Sequence, residues 1–364
     1  MTSRFQTSIP LLLGVLLTVY GVTHAAFNWD IIGYVAAVNY ENGLRNEALH
    51  KATYSEIQSE APPNLYHDLT EANNYRQTVA RSSESLSQHL PFYSIRAAYV
   101  SLIRFSSWFF NISSTHAIII LSSIFAGASL AILLTAFNLN SVFISLLCTL
   151  IAIAAGFSEI STLATPDSMA ATLSLALIFT YRKRPNIATL IAISLPLVRT
   201  DFIILSGLIA FCLFLQGQRL RPATIALCSF SAYLTVNNVY SNYGYLKIFN
   251  FTLLEINPFP AQMKIEENWL PYVKAYYNGF ASFLKSKHFL VYIAYFAFWF
   301  KVIRRKRIQA SNEQVFIVLS FTLLHMLFFP AYYERFFAWC ATIAGLQLVT
   351  WIYELKTQKT KDIN

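Results

Sequence analysis

Charged side chains are scarce in this chain of 364 residues. They make up 12% of it, and hydrophobic residues make up 55%, whereas about a quarter of a typical soluble domain is charged. This shortage excludes an ordinary soluble domain. Apolar runs of roughly 15–22 residues recur from one end of the chain to the other, as helices that cross a membrane require. The composition therefore predicts an all-α, polytopic membrane helical bundle that forms a single membrane domain over residues 1–364.

Cysteine is equally rare, and the sequence contains no heptads, low-complexity tracts or internal repeats. The four cysteines, Cys148, Cys212, Cys228 and Cys340, all lie inside apolar runs and lack metal-ligand spacing, so we expect buried free thiols. The formal net charge is +9, but the basic residues cluster in short loops and tails, where they orient a protein in the bilayer. The charge therefore predicts no nucleic-acid partner.

The N-terminus allows two interpretations. Arg4, the apolar run 9–22 and the small residues around Ala25 resemble a cleaved signal peptide. We expect an uncleaved first helix instead, because the run is long enough to span a membrane. Cleavage after Ala25 would also leave Asp30 on a free end.

Residues 27–113 are the longest polar stretch, which we call the first loop region, and they show weak helical patterns. The stretch predicts a structured loop outside the membrane that contains short amphipathic helices. It ends in an aromatic segment, residues 90–110, that contains Arg96 and Arg104. A membrane span with two arginines is costly, so we expect this segment to be a helix that lies in the interface, with its guanidinium groups among the lipid headgroups.

Further apolar runs predict membrane helices at residues 114–136, 140–158, 167–181, 186–216, 222–240, 288–302, 313–330 and 335–354. A second loop region, residues 241–287, separates two of these runs. The run 186–216 would form a helix of about 46 Å, against a hydrocarbon core of about 30 Å, and Arg199-Thr200-Asp201 interrupts it. We expect a hairpin of two short helices; one long tilted helix is the alternative. The hairpin gives about ten crossings with both termini in the cytoplasm. The size favours a bacterial inner membrane, and an endoplasmic reticulum membrane is the alternative.

Seven charged residues then fall near the ends of spans on the non-cytoplasmic side. They are Asp30, Glu159, Asp167, Arg199, Asp201, Glu334 and Arg335. Charged residues at the membrane edge are candidates for function because their burial is costly. This grouping predicts a site of mixed charge that opens outward.

Simpler explanations exist for several of these residues. Thr165, Pro166 and Asp167 are typical of a helix start, with an N-cap, a first-turn proline and an acid that the helix dipole favours. Arg199 and Asp201 could pair only with each other at a turn. Arg335 could anchor lipid headgroups, with Glu334 as its partner.

The arrangement resembles the C-type (GT-C) membrane glycosyltransferases, which use polyprenyl-phosphate-linked sugars. The similar features are an aspartate just after the first span, a proline- and aromatic-rich end of the first loop region, an acidic motif that opens a later span, an Arg-Thr-Asp turn and an arginine–aromatic motif near the last span. In this sequence they are Trp29-Asp30, Leu90-Pro91-Phe92-Tyr93, Thr165-Pro166-Asp167-Ser168, Arg199-Thr200-Asp201 and Glu334-Arg335-Phe336. The chain differs from many members in having a lone Asp30 where an acid pair is common.

The resemblance implies transfer of a sugar from a lipid-linked donor to a hydroxyl of a glycan, lipid or protein acceptor at the outer face. Asp30 would be the general base. Arg199 and Arg335 would bind the leaving phosphate, with Asp201 and Glu334 beside them.

The resemblance also gives Glu159 and Asp167 a role, which is to orient the acceptor or to hold a metal. Oxygen ligands of this kind suit magnesium or manganese. Two other classes stay open: a transporter or lipid-linked sugar flippase without transferase activity, and a membrane polysaccharide polymerase. A transporter usually has paired halves and broken helices at the midplane.

Overall fold

The protein is all-helical throughout the part of the chain that the structure, a computed structural model, describes. The backbone is described for residues 2–137, 142–303 and 310–361, and the side chains for residues 8–137, 142–300 and 312–352. Nineteen α-helices and no strand occur in these ranges. The prediction of an all-α helical bundle is therefore confirmed.

The first helix packs against the helix that follows the first loop region. These are α1, Thr2–Thr23, and α8, Ser114–Ala136. They run antiparallel, since Gly14 meets Gly127 while Gly21 meets Ser123. A Cβ atom on Gly14 would lie 2.6 Å from the carbonyl oxygen of Gly127, so only glycine permits this approach, as is common where membrane helices pack closely.

The first loop region folds into six helices around a core of its own. They are α2 (Asp30–Glu41), α3 (Asn46–Glu60), α4 (Pro63–Glu71), α5 (Asn74–Arg81), α6 (Ser83–Ser94) and α7 (Ala97–Phe110). Helix α2 is buried from Ile31 to Asn39 and forms the centre of this core. The segment 90–110 is not one helix as expected, because the chain breaks between α6 and α7 at Ile95 and Arg96.

The middle of the chain contains shorter helices than the apolar runs predicted. They are α9 (Val142–Ala154), α10 (Phe157–Thr162), α11 (Asp167–Thr180), α12 (Pro185–Val198) and α13 (Ile203–Leu215). The run 140–158 stops as a helix near Gly156, whose φ of +105° suits glycine. A short 3-10 turn at Thr200–Phe202 links α12 to α13.

Helices α12 and α13 form the expected hairpin. The Ser206 hydroxyl donates to the Ala192 carbonyl at 2.6 Å. In one straight helix, Ala192 and Ser206 are 14 residues apart and would lie about 21 Å from each other along the axis. The alternative of one long tilted helix is therefore wrong.

The last third of the chain contains six helices, of which four are outside the second loop region. The helices are α14 (Leu220–Val239), α15 (Tyr245–Phe249), α16 (Trp269–Lys285), α17 (Lys287–Ile303), α18 (Ala310–Phe328) and α19 (Glu334–Lys361), of which α15 and α16 belong to that loop region. The second loop region packs onto the first. The Tyr243 hydroxyl donates to the Gln88 carbonyl at 2.8 Å, and the rings of Phe92 and Phe251 stack at 4.6 Å.

Two helices in the described residues are both long and apolar enough to cross a membrane: Ser114–Ala136 and, within α19, Glu334–Ile352. Most of the other apolar helices are shorter, at 10–17 residues, which corresponds to about 15–26 Å against a hydrocarbon core of about 30 Å. The apolar runs therefore located the helices correctly, but they overestimated the length of several.

Candidate functional site

The ends of four helices bring charged side chains from distant parts of the chain together. Asp30 begins α2, Asp167 begins α11, Arg199 ends α12, and Arg335 lies in the first turn of α19. Asp201 follows Arg199 in the turn to α13. These five residues, which we call the charge cluster, are joined by ion pairs. The structure thus brings together five of the seven residues singled out from the sequence.

Asp30 is the most exposed carboxylate of the charge cluster, with 29% of its side chain accessible. Its Oδ2 lies 3.5 Å from Nη1 of Arg335 and accepts a hydrogen bond from the Asn28 amide at 2.9 Å. The Tyr93 hydroxyl donates to Oδ1 at 3.5 Å. Asn28 also accepts from the backbone N–H of Ala164 at 2.7 Å. This bond fixes the start of α2 against the segment that leads into α11.

Asp167 is the buried centre of the charge cluster, with 1% of its side chain exposed. It forms ion pairs with Arg199 and, through Oδ2 at 3.5 Å, with Nε of Arg335. The Thr165 hydroxyl donates to the same Oδ2 at 2.9 Å. Thr165 is therefore not the N-cap of α11, a position that Pro166 occupies without a side-chain bond. The simple helix-start explanation for Asp167 is incomplete because two guanidinium groups contact this carboxylate.

The guanidinium group of Arg199 is buried and contacts two carboxylates and an aromatic ring. Nε and Nη2 donate to the two oxygens of Asp201 at 3.1 and 2.8 Å, and Nη1 pairs with Asp167. The ring of Phe336 covers one face, with its centroid 3.9 Å from Cζ. Only 7% of the residue is exposed. Arg199 is thus engaged by two carboxylates and almost fully buried, so an external phosphate would reach it less readily than it would reach Arg335.

Arg335 is more accessible to an external ligand than Arg199. Its two ion-pair contacts, to Asp30 and Asp167, are both 3.5 Å long, and 24% of its side chain is exposed. Phe336 lies between the two arginines, with its ring centroid 5.3 Å from Cζ of Arg335. The long contacts hold Arg335 near Asp30 but leave room for an incoming acceptor of hydrogen bonds. The geometry therefore favours Arg335 over Arg199 as a ligand for an external anion.

Glu159 and Glu334 form no direct ion pair with the charge cluster among the described residues, although the charges of Arg335 and Asp167 act on the Glu159 carboxylate. Glu334 accepts a hydrogen bond from the backbone N–H of Lys287 at 2.9 Å, and it does not pair with Arg335 as the simpler explanation assumed. Glu159 is exposed on α10. In the ranges described, no group of three or more carboxylates, imidazoles and thiols could hold a metal ion. The metal-holding role expected for Glu159 and Asp167 stays a prediction, and we derive no step through a metal.

His325 is a site residue that the sequence did not reveal. It belongs to α18, is 2% exposed, and its Nε2 donates to Oδ2 of Asp201 at 2.9 Å. Its Nδ1 atom is buried and has no hydrogen-bond partner within the described part of the chain. The only signal was a lone imidazole inside the apolar run 313–330.

The charge cluster contains one more carboxylate than guanidinium groups. Asp30, Asp167 and Asp201 face Arg199 and Arg335. Asp201 pairs with Arg199 and Asp30 with Arg335, and the two guanidinium groups share Asp167. Asp30 is the most accessible of the three, and a partly exposed carboxylate with a long ion-pair contact can accept a proton from a bound hydroxyl.

Comparisons with protein families, with curated proteins and with solved structures give no match for this chain.

Proposed function

We propose that the chain is a multi-pass membrane glycosyltransferase of the GT-C type. It would transfer a sugar from a polyprenyl-phosphate-linked donor to an acceptor hydroxyl at the non-cytoplasmic face. The observation that supports this most strongly is the meeting of Asp30 and Arg335, 305 positions apart in the chain, at the exposed edge of a buried ion-pair network.

The membrane setting is supported by the apolar side chains that remain exposed on the helices. Leu11 on α1, Phe143 on α9, Leu227 on α14 and Leu290 on α17 are 65–74% exposed. Soluble monomers rarely expose contiguous apolar surface of this kind. The hydrocarbon core of a membrane, which is about 30 Å thick, would cover these exposed apolar side chains.

The proposed topology has about ten crossings, with both termini in the cytoplasm and the charge cluster outside. Helices α12 and α13 have 14 and 13 residues, so each is about 20 Å long. The hairpin would thus enter from the cytoplasm and turn at Arg199 below the outer surface. A reporter fused after Ser168 should appear outside, and one fused after Arg184 should appear inside. The reverse pattern would contradict the topology and with it the outward-facing site.

The chemistry follows from what each group of the charge cluster can do. Asp30 would take the proton from the acceptor hydroxyl as the new glycosidic bond forms. Arg335 would stabilise the negative charge that develops on the leaving phosphate. Asp167 and Arg199 would hold these two groups in place, and Asp201 and His325 would orient Arg199. The acceptor would be a glycan, a lipid or a protein.

A transporter or lipid-linked sugar flippase is the alternative function. It too would place charges within a membrane. The glycosyltransferase is favoured because the charges meet where α2, α11 and α19 begin and α12 ends, at one edge of the bundle. A transporter usually binds its substrate near the midplane between repeated halves.

The test is sugar transfer by the purified protein with a panel of radiolabelled polyprenyl-phosphate sugars, with and without a chelator. Asp30→Asn should lower the transfer rate by about 10²–10⁴-fold and leave expression and membrane insertion unchanged. Asp68→Asn is the matched control, because Asp68 is exposed on α4, and it should transfer sugar normally. Near-normal transfer by Asp30→Asn would remove Asp30 as the base. Translocation of the labelled lipid across vesicles without transfer would favour the flippase.

A further inference from the structure

A cavity of about 610 Å³ lies between α7 and the C-terminal end of α2, away from the charge cluster. Polar groups and two aromatic rings line it: Asn42, Ser101, Arg104, Phe105, Ser107 and Trp108. Asp30 and Asn42 lie at opposite ends of the 12-residue helix α2, which separates them by about 18 Å. The cavity is therefore too far from Asp30 to hold the phosphate of a reacting sugar donor.

Arg104 is the one guanidinium group in this cavity. Its Nε donates to the amide oxygen of Asn42 at 2.9 Å. It forms no ion pair with a carboxylate in the part of the chain that the structure describes, and it is exposed. The two terminal nitrogens of a guanidinium group bind phosphate in a bidentate manner. The hydroxyl of Ser101 lines the same opening, whereas the Ser107 hydroxyl already donates to the Ile112 carbonyl at 2.6 Å.

In the proposed membrane setting, the packing of α7 would place Arg104 at the edge of the hydrocarbon. Helix α7 turns at Asn111 and runs back along α8, because the Tyr99 hydroxyl lies 2.9 Å from the Ser122 hydroxyl. This register puts Arg104 about level with Ala117, in the first turn of a helix long enough to span a membrane. Lipid phosphates lie at this depth, whereas an unpaired guanidinium group in hydrocarbon is costly.

An aromatic surface continues from the cavity towards the end of α7. Phe105, Trp108, Phe109 and Phe110 are all more than half exposed. Their rings contact one another, as Phe105 and Phe109 do at 5.6 Å. Tryptophan and phenylalanine beside an arginine are typical of a surface buried at the level of lipid headgroups and upper acyl chains.

We propose that this cavity binds an anionic phospholipid of the non-cytoplasmic leaflet. Arg104 and Ser101 would hold the headgroup phosphate, and the acyl chains would follow Phe105 and Trp108. The proposal rests on the membrane setting of the proposed function but not on sugar transfer. It gives α7 a defined lipid-binding role and explains why a charged residue interrupts an otherwise aromatic face.

The test is lipid retention by the detergent-solubilised full-length chain, measured by native mass spectrometry. Phosphatidylglycerol, phosphatidylcholine and inorganic phosphate serve as three separate probes. We expect phosphatidylglycerol to bind most tightly. Arg104→Gln should weaken it by about tenfold or more, since a charge-assisted hydrogen bond is lost. Arg81→Gln, which changes an arginine that is 69% exposed and paired with Glu71, is the control and should bind like the wild type.

Two further variants keep the result interpretable. Trp108→Ala leaves every charge in place and should weaken phosphatidylglycerol but not inorganic phosphate. Asp30→Asn should bind the lipid as the wild type does, which separates this site from the transfer reaction. Unchanged phosphatidylglycerol binding by both Arg104→Gln and Trp108→Ala would overturn the proposal. Equal binding of phosphatidylcholine, or displacement of the lipid by millimolar inorganic phosphate, would overturn it as well.

Discussion

Replacement of Arg199 by methionine is expected to destabilise the folded chain severely. Arg199 neutralises Asp167, whose side chain is 1% exposed, and Asp201, which receives two of its hydrogen bonds. Methionine fills much of the same volume but leaves both carboxylates without this partner. Removing one member of a buried ion pair typically costs 3–5 kcal/mol, chiefly because the other charge stays buried and uncompensated. We expect the free energy of unfolding of Arg199→Met to fall by about this amount.

The assay is unfolding by sodium dodecyl sulfate in mixed micelles, followed by circular dichroism, for the single and double variants. Asp167→Asn in the Arg199→Met background should recover part of the loss, because the uncompensated buried charge is then removed. The two substitutions should be non-additive by about 1–3 kcal/mol. Arg182→Met is the matched control: Arg182 also pairs with a glutamate, Glu313, but 47% of its side chain is exposed, so its loss should cost about 0–1 kcal/mol.

A loss below 1 kcal/mol for Arg199→Met, or strict additivity with Asp167→Asn, would refute this reasoning. Either result would mean that the carboxylates are solvated or paired elsewhere. Arg199 would then again be a candidate for direct phosphate binding. The experiment therefore separates a structural arginine from a substrate-binding one before any substrate is known.

Two further predictions concern the loop regions and the helix contacts. Burial lowers the pKa of His89 from 6.5 to about 4, so the unfolded chain takes up a proton first as the pH falls. The stability that His89 contributes is complete above pH 6.5 and should decline by about 2 kcal/mol at pH 5. Thermal unfolding of His89→Gln should therefore be less sensitive to this pH change than that of the wild type. Equal sensitivity of the two proteins would contradict the prediction. Gly127→Ala should destabilise the chain by about 1–3 kcal/mol, because the added Cβ would clash with Gly14 on α1. Gly207→Ala is the control and should not destabilise it, because a Cβ at this position meets nothing within 4 Å. Equal stability of the two alanine variants would show that α1 and α8 can separate.

The positions of the helices followed from the apolar runs, but the points where they break did not. Hydrophobicity predicts which segments can be buried, but it contains little information about where the backbone bends. Gly156 ends α9 with a positive φ, and Ile95 and Arg96 divide the segment expected to be one helix. The hairpin at Arg199 was predictable because two charged residues and a preceding proline interrupt a run that is too long to span once.

The members of the site were largely predictable, whereas their pairing was not. The sequence placed several charges near the predicted ends of spans on one side, and this grouping singled out Asp30, Asp167 and Arg335. Consecutive helical residues point about 100° apart, so Glu334 turns towards Lys287 while Arg335 reaches the charge cluster. His325 had no sequence signal beyond its apolar surroundings, because its partner Asp201 lies 124 positions away.

The surplus carboxylate of the charge cluster would oppose the binding of an anionic donor. Under the proposed function, an incoming phosphodiester would bring a second uncompensated negative charge to a cluster that already has one. Donor binding beside Arg335 would therefore be thermodynamically linked to the uptake of a counter-ion that arrives with the donor.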